Sequence, residues 1–447
     1  MSDPPDDDLD QFMPDEGGAQ KQPAPPDNVT QFDPKRRRRK PPQPPPGGFT
    51  PWYSLLRRDN GRVIPDLANV LIALREDQAL VFAMAFNEMR QRAIATSEWP
   101  RAPRAMPYDP PPHEIGEDDI SRLQEWLQHM GMPRIGREMV GQACEVFARE
   151  RRVHPIRDWL NSLESDGGEL RQNWLTVCLG VPDDPYHRAI GKMFLTSMVA
   201  RIFEPGCKCD YMIVLEGPQG EEKSRFCRAL AGGDEYFSEH LPRIDSDAIR
   251  LSMHLRGKWL IEVSELSAFL KADPEAMKHF VSQQNEQYTP KYGRSEVREP
   301  RQCVFIGTTN EDEYIRDVTG GRRYWPIKVR FVNVDRLERM REQLFAETVL
   351  AYRASEAWWP DRAFEKEHIT PVQDARQWED ALTEKVAEII DTLSEISLAQ
   401  LGARLGFDNT RFDTPAQKRL AAILRKAGWR KGAVHGGRSV WRKAADW

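Results

Sequence analysis

The chain has 447 residues, of which 40% are hydrophobic and 30% charged, and its formal net charge is −5. That length accommodates two or three domains with a core each, but no stretch approaches the roughly 20 apolar residues of a membrane helix, and the acidic opening Met1–Asp10 does not read as a secretory signal. A membrane protein and an exported one are therefore not expected, and the scattered Cys144, Cys178, Cys207, Cys209, Cys227 and Cys303 read as reduced thiols in a cytoplasmic protein.

Residues 1–48 are rich in Pro, Asp and Gln and poor in branched apolar side chains, a composition expected to stay disordered. Within them Lys35–Lys40 is an unbroken cationic run that would contact DNA or RNA weakly by releasing counterions, or act only as a solubilising charge. Residues 49–195 are expected to form a mixed, largely helical N-terminal domain. Asn69–Arg75, Leu80–Phe82 and Phe86–Met89 suggest a small mixed module, followed by the proline-rich connection Trp99–His113. Apolar residues at three- and four-residue spacing then predict amphipathic helices over Asp119–His129, Gly136–Arg151 and Ile156–Leu163, packed on the unit beyond residue 195. No Asp-x-Asp strand with a matching basic residue supports primase chemistry, and His113, His129, His154 and His187 are isolated.

A third unit, residues 196–370, carries the chemistry. The apolar strand Tyr211–Leu215 delivers the chain to Gly217-Pro218-Gln219-Gly220-Glu221-Glu222-Lys223-Ser224, which meets the phosphate-loop pattern G-x-x-x-x-G-K-[ST] except that Glu222 stands where the second glycine belongs. In such a loop backbone N–H groups and a helix N-terminus cradle the phosphates of ATP, Lys223 reaches the β- and γ-phosphates, and Ser224 ligates Mg2+. Glycine before the lysine admits a backbone conformation that a β-carbon obstructs. A Glu222 carboxylate about 5 Å from one phosphate charge would cost roughly 3 kcal/mol at an effective dielectric near 20; turned outward, it leaves mainly the backbone cost. Cys207-x-Cys209, just upstream, has no second pair nearby to complete a four-ligand zinc site.

Downstream, Lys258–Ile261 reads as a buried strand that ends in Glu262 and Glu265, acids suited to hold magnesium and polarise a water. Arg301–Asn310 is a second apolar strand, tipped by Asn310, which would sense the γ-phosphate. Arg322 and Arg323, beside Gly320-Gly321, would supply the cation for a neighbouring subunit's nucleotide. Lys291 and Arg294 are candidate DNA phosphate contacts, though a Tyr-Gly turn with solvated cations has the same pattern. Leu337–Trp359 shows helical spacing and reads as core.

These motifs, with Arg201–Lys208, Val214–Gly220, Trp259–Leu266, Pro290–Arg294, Gly307–Asn310 and Thr319–Pro326, resemble the virulence-associated protein E family over roughly residues 150 to 365. Proteins of that family are encoded largely by phages, prophages and mobile islands. The resemblance implies a P-loop ATPase core similar to superfamily 3 replicative helicases, which work as rings on DNA. Glu222 departs from the family's glycine and puts hydrolysis, not fold, in question.

Residues 371–447 are expected to hold a linker helix and a winged helix-turn-helix. Ile396–Gly406 and Thr414–Ala427 give two helices, and Gly428–Lys431 and Ser439–Lys443 give two strands around Gly436-Gly437. Its cations, among them Lys418, Arg419, Arg425, Lys426 and Arg438, outnumber its acids and point to DNA, with protein docking as the alternative.

The expected fold class is α/β: an AAA+-like or superfamily 3 helicase-like P-loop core, with a mixed, largely helical N-terminal unit and a C-terminal winged helix. The expected function is a DNA-dependent ATPase, a ring-forming replicative helicase using ATP and Mg2+, with DNA, copies of itself, and a primase or host replication proteins as partners. The alternative is a hydrolysis-deficient DNA-binding scaffold that recruits replication factors.

Overall fold

A computed structural model describes residues 51–103, 108–242, 244, 248–266, 268, 270, 274–289, 296–315, 321–377, 382–408, 412–435 and 438–443. The tail with Lys35–Lys40, and the candidate contacts Lys291 and Arg294, lie outside them.

The N-terminal unit opens with a short hairpin, β1 (Arg58–Asp59) and β2 (Arg62–Val63), and α1 (Leu67–Glu76). Asp66 caps α1 by accepting from the Asn69 amide at 3.0 Å. Buried Asn69 is itself satisfied: its side chain accepts from the Arg57 amide and donates to the Arg57 and Ile64 carbonyls. A four-stranded sheet follows from β3 (Met84–Asn87), β4 (Arg92–Ala95), β5 (His113–Glu114) and, after α2 (Glu117–His129) and α3 (Arg137–Ala148), β6 (Arg152–Val153), in the order β5-β4-β3-β6. Trp52, Leu74, Phe86, Leu123, Trp126 and Phe147 fill its core.

The next helices belong to a different core. α4 (Pro155–Ser162), α5 (Leu170–Leu179) and α6 (Pro185–Phe203) bury Leu160, Trp174, Phe194 and Met198 in the same cluster as the central sheet. Proline opens both α4 and α6, where its missing N–H costs nothing, and the His154 and Asp184 side chains cap them. The domain boundary expected near residue 195 falls inside α6, whose residues from Met193 to Ile202 are all buried, so packing divides the chain near residue 154 instead. Helical spacing alone does not tell which neighbour an apolar stripe faces.

The central sheet comprises β7 (Met212–Glu216), β8 (Phe237–Ser238), β9 (Leu260–Val263), β12 (Val304–Thr309) and β13 (Tyr324–Lys328), all parallel, in the order β13-β7-β12-β9-β8. Between them lie α7 (Lys223–Ala231), α8 (Ala248–Leu255), α9 (Pro274–Ser282) and the antiparallel hairpin β10 (Asn285–Tyr288) with β11 (Val297–Pro300). Alternate residues of β7 face opposite layers: Ile213 and Leu215 meet α4 to α7 and α10 (Val334–Arg353), while Met212 and Val214 meet α8 and α9. With helices on both faces, the strands read as near-continuous apolar runs, and their polar residues cluster towards the carboxyl ends.

After α10, the helical stretch Arg362–Asp374 returns to the sheet, and Gln373 donates to the Tyr324 carbonyl at 2.7 Å. The remainder forms its own small core: α11 (Thr383–Asp391), β14 (Glu395–Ser397), α12 (Leu398–Arg404), α13 (Thr414–Lys426), β15 (Trp429–His435) and β16 (Arg438–Lys443). Its antiparallel sheet has the order β14-β16-β15. The two helices and the hairpin stand where the periodicity places them, but β14 is too short to alternate visibly.

Candidate functional site

The carboxyl edge of the parallel sheet gathers the loop Gly217–Ser224, Glu262, Glu265 and Asn310, as expected where a sheet reverses its strand order. The carbonyl of Glu216, the last residue of β7, accepts from the Val329 amide at 2.9 Å, and the Gly217 amide donates to the Thr309 carbonyl at 3.1 Å. The loop is thereby pinned to strands on both sides before α7 begins at Lys223.

Glu222 adopts φ +52°, the left-handed region. This is the conformation for which the pattern reserves glycine, and a β-carbon there costs roughly 1–2 kcal/mol. Its carboxylate leaves the loop and pairs with Arg225 at 2.8 Å on the exposed side of α7. Of the two placements open to it, the outward one is adopted. Glu221 takes the inward one: its buried Oε2 has no hydrogen-bond partner and lies 2.7 Å from where a β-carbon on Gly217 would sit. Lys223 donates its amine to the Gly217 carbonyl at 3.0 Å and to the Pro218 carbonyl. The loop is thus folded on itself.

Glu262 lies on β9 beneath α7 and is 1% exposed. Its Oε1 accepts from the Ser224 hydroxyl at 3.0 Å and from the Thr308 hydroxyl at 2.7 Å. Its Oε2 is buried without a partner. Burial pushes this carboxyl above the ordinary glutamate range; the two hydroxyl hydrogen bonds pull it back, and the Glu239 charge pushes it further up. A buried acid with one oxygen orphaned, beside two hydroxyls, is a set of hard oxygen donors that fits Mg2+.

The other expected residues divide. Glu265, at φ +51°, and Asn310 are exposed at the carboxyl ends of β9 and β12, on the same edge as the loop. Arg322 and Arg323 precede β13, whose Tyr324 stands opposite Met212 and Lys328 opposite Glu216, so they sit at the amino edge. At about 3.3 Å per residue, that is roughly 15 Å along the sheet from the loop. Arg323 is buried and donates to the Ser282 hydroxyl at 3.0 Å, whereas Arg322 is exposed. The structure thus separates a pair that the sequence presents as equivalent.

Residues 160–378 match the virulence-associated protein E-like domain. The chain carries a VapE-like domain. No curated protein matches it. Among solved structures, one described as the apo form of the NrS-1 C-terminal region has a TM-score of 0.37 at 14% identity, covering 64% of this chain and 77% of that one. Its A form gives 0.36 at 16% identity, with the same coverages.

The VapE-like domain ends just past a contact that sequence reasoning missed. Arg376 grips the buried carboxylate of Glu216 with Nε at 3.0 Å and Nη2 at 3.0 Å, and the Tyr314 hydroxyl donates to the same carboxylate at 3.0 Å. The residue immediately before the loop is therefore clamped from 160 positions away, with no local signal to betray it. Thr308 was visible only as one small residue in the run Gly307–Asn310.

Outside the VapE-like domain, α13 buries Leu420, Ala421, Ile423 and Leu424 and exposes Lys418, Arg419, Arg425 and Lys426. Lys418 and Arg425 are two helical turns apart, as are Arg419 and Lys426, so the cations line one face. Arg425 also lies over the Trp441 ring at 5.5 Å. The side chain of Arg438 lies outside the described residues. Among the described residues, no helix is long and apolar enough to cross a membrane.

Proposed function

We propose that the VapE-like domain is the ATPase core of a DNA-dependent motor, a ring helicase that serves replication of a phage or mobile element in the bacterial cytoplasm. The observation that carries this reading is buried Glu262, bridging the Ser224 and Thr308 hydroxyls with one oxygen and holding the other unpaired beneath the loop. Bound MgATP would supply the transferable γ-phosphoryl group and the divalent charge. Ser224, Glu262 and Thr308 would hold the magnesium and its water shell, and Lys223 would exchange the loop carbonyls for phosphate oxygens. Glu265 and Asn310 would orient water at the same edge. Arg322, exposed at the opposite edge, is suited to reach the nucleotide of an adjacent subunit. The helix–strand–helix–helix–hairpin order after residue 382 and the cationic face of α13 support a winged helix on DNA, with a primase or host replication proteins as further partners.

A second reading rests on Glu221. A carboxylate held inside the loop occupies the ground an anion would take, as expected of a hydrolysis-deficient DNA-binding scaffold. Steady-state ATP hydrolysis with magnesium, with and without single-stranded DNA, separates the two. The motor reading expects DNA-stimulated turnover that Lys223→Ala abolishes. Silence in the parent, Glu222→Gly and Glu221→Gln alike would leave the scaffold.

A further inference from the structure

The loop that joins α6 to β7 places two cysteines in contact. The sulfurs of Cys207 and Cys209 are 3.7 Å apart, within thiol hydrogen-bond reach. Their surroundings are unlike those of the other thiols: Cys144, Cys178, Cys227 and Cys303 are at most 2% exposed, and Cys209 is also buried, whereas Cys207 reaches solvent. Arg201 stands beside the pair, buried in α6, with Nη1 donating to the Arg301 carbonyl at 3.4 Å and Nε left without a partner. The loop itself is held at several points. The Gly206 amide donates to the Arg301 carbonyl at 2.8 Å, and the Trp358 indole donates to the Lys208 carbonyl at 2.8 Å.

We propose that Cys207 and Cys209 are a redox-modification site, a dithiol that closes to a reversible internal disulfide by exchange with a disulfide of the glutathione type. Accessible Cys207 is the attacking sulfur and buried Cys209 the resolving one. The Cys207 thiolate bonds to one sulfur of oxidised glutathione and expels the other as glutathione thiolate. Cys209 then gives its proton to that thiolate or to water, its sulfur attacks the Cys207 sulfur, and the second glutathione leaves. Two protein thiols are oxidised and one glutathione disulfide is reduced to two thiols. In the reduced pair the hydrogen bond shared with Cys207 lowers Cys209, burial opposes it and the Arg201 guanidinium adds to it, while the shared hydrogen bond and burial push Cys207 up. Once Cys207 has been capped its thiol proton is gone, and the Arg201 guanidinium is the charge that still favours the resolving thiolate on Cys209. The sulfurs must approach from 3.7 Å to about 2.05 Å, a movement within a loop rather than of a helix or strand. This inference stands on the loop alone and not on the ATPase reading.

The full-length chain, incubated with oxidised and then with reduced glutathione, is quenched in acid, alkylated after denaturation so that all six cysteines are counted, and read by intact mass and peptide mapping. The expected result is loss of two alkylatable thiols, a single bond mapped to Cys207 and Cys209, and full recovery on reduction. Cys209→Ser is expected to accumulate a glutathione adduct on Cys207, and Cys207→Ser to stay unmodified because Cys209 is buried. An unchanged thiol count, a parent protein that stops at the glutathione adduct, or a bond to any other cysteine would overturn the proposal. Mapping of the parent decides the matter even where a variant fails to fold.

Discussion

At the scale of single residues, the two glutamates of the loop have opposite fates, and each makes a prediction. Glu222 holds a left-handed backbone but turns its charge to Arg225. Glycine there would relieve roughly 1–2 kcal/mol of backbone cost, offset by about 0.5–1 kcal/mol of chain entropy and a solvent-screened ion pair worth about 0–1 kcal/mol. Glu222→Gly is therefore expected to change stability by less than about 1 kcal/mol in chemical denaturation. Glu221→Gln should strengthen nucleotide binding about tenfold in calorimetry, a change of about 1.4 kcal/mol, because it removes the carboxylate folded against Gly217. Equal affinities for parent and variant would place that charge outside the nucleotide's reach. Glu262 gives a pH signature. Its folded-state affinity for a proton is raised mainly by burial, so its contribution to stability is complete below the ordinary glutamate range and is lost as pH rises through the raised value. Glu262→Gln should raise the melting temperature at neutral pH by about 2–4 °C, the effect of roughly 1 kcal/mol. The gain should vanish in acid, and magnesium-dependent nucleotide binding should be lost.

At the scale of elements, the clamp behind the loop is the strongest test of how the sheet holds it. Arg376→Ala leaves the buried Glu216 carboxylate with only the Tyr314 hydroxyl, and breaking a buried pair on one side costs about 3–5 kcal/mol. The expected outcome is a denaturation midpoint well below the parent, recovered in part by adding Glu216→Gln. This contact also marks the limit of legibility. β7, β9 and β12 could be read from their sequences because strands buried on both faces are near-continuous apolar runs, broken here only by Glu262 and towards the carboxyl ends. The helices α2, α3, α4 and α13 could be read because their stripes repeat every three or four residues. The partner of Glu216 could not, since an arginine 160 residues away is one of many. Nor could the allegiance of α5 and α6, whose apolar residues would suit either neighbouring core. The phosphate-loop pattern located the candidate site, but only backbone angles and rotamers decided that Glu221, rather than Glu222, faces inward.

At the scale of the whole molecule, the opposite edges of the sheet predict a division of labour between copies. If Arg322 serves the next subunit, Lys223→Ala and Arg322→Ala chains, each inactive alone, should recover part of the DNA-stimulated ATPase activity when mixed. No recovery at any ratio would argue against a shared site. The cationic face of α13 should appear in salt dependence: Lys418→Ala with Arg425→Ala is expected to weaken DNA binding and to lower the slope of log affinity against log salt by about 1.8, because two phosphates are no longer neutralised. One contact reaches further back, into how the molecule is made. The Glu347 carboxylate of α10 accepts from the Leu170 and Arg171 amides at 3.0 Å each and so caps the start of α5 across 176 or 177 positions. On a ribosome adding about 5–20 residues per second, that helix emerges roughly 10–35 seconds before its cap exists. Until α10 arrives, the first turn of α5 has water in place of Glu347, so the layer behind the phosphate loop can set only late in synthesis, and a nascent chain halted before residue 347 would hold that helix without its lock.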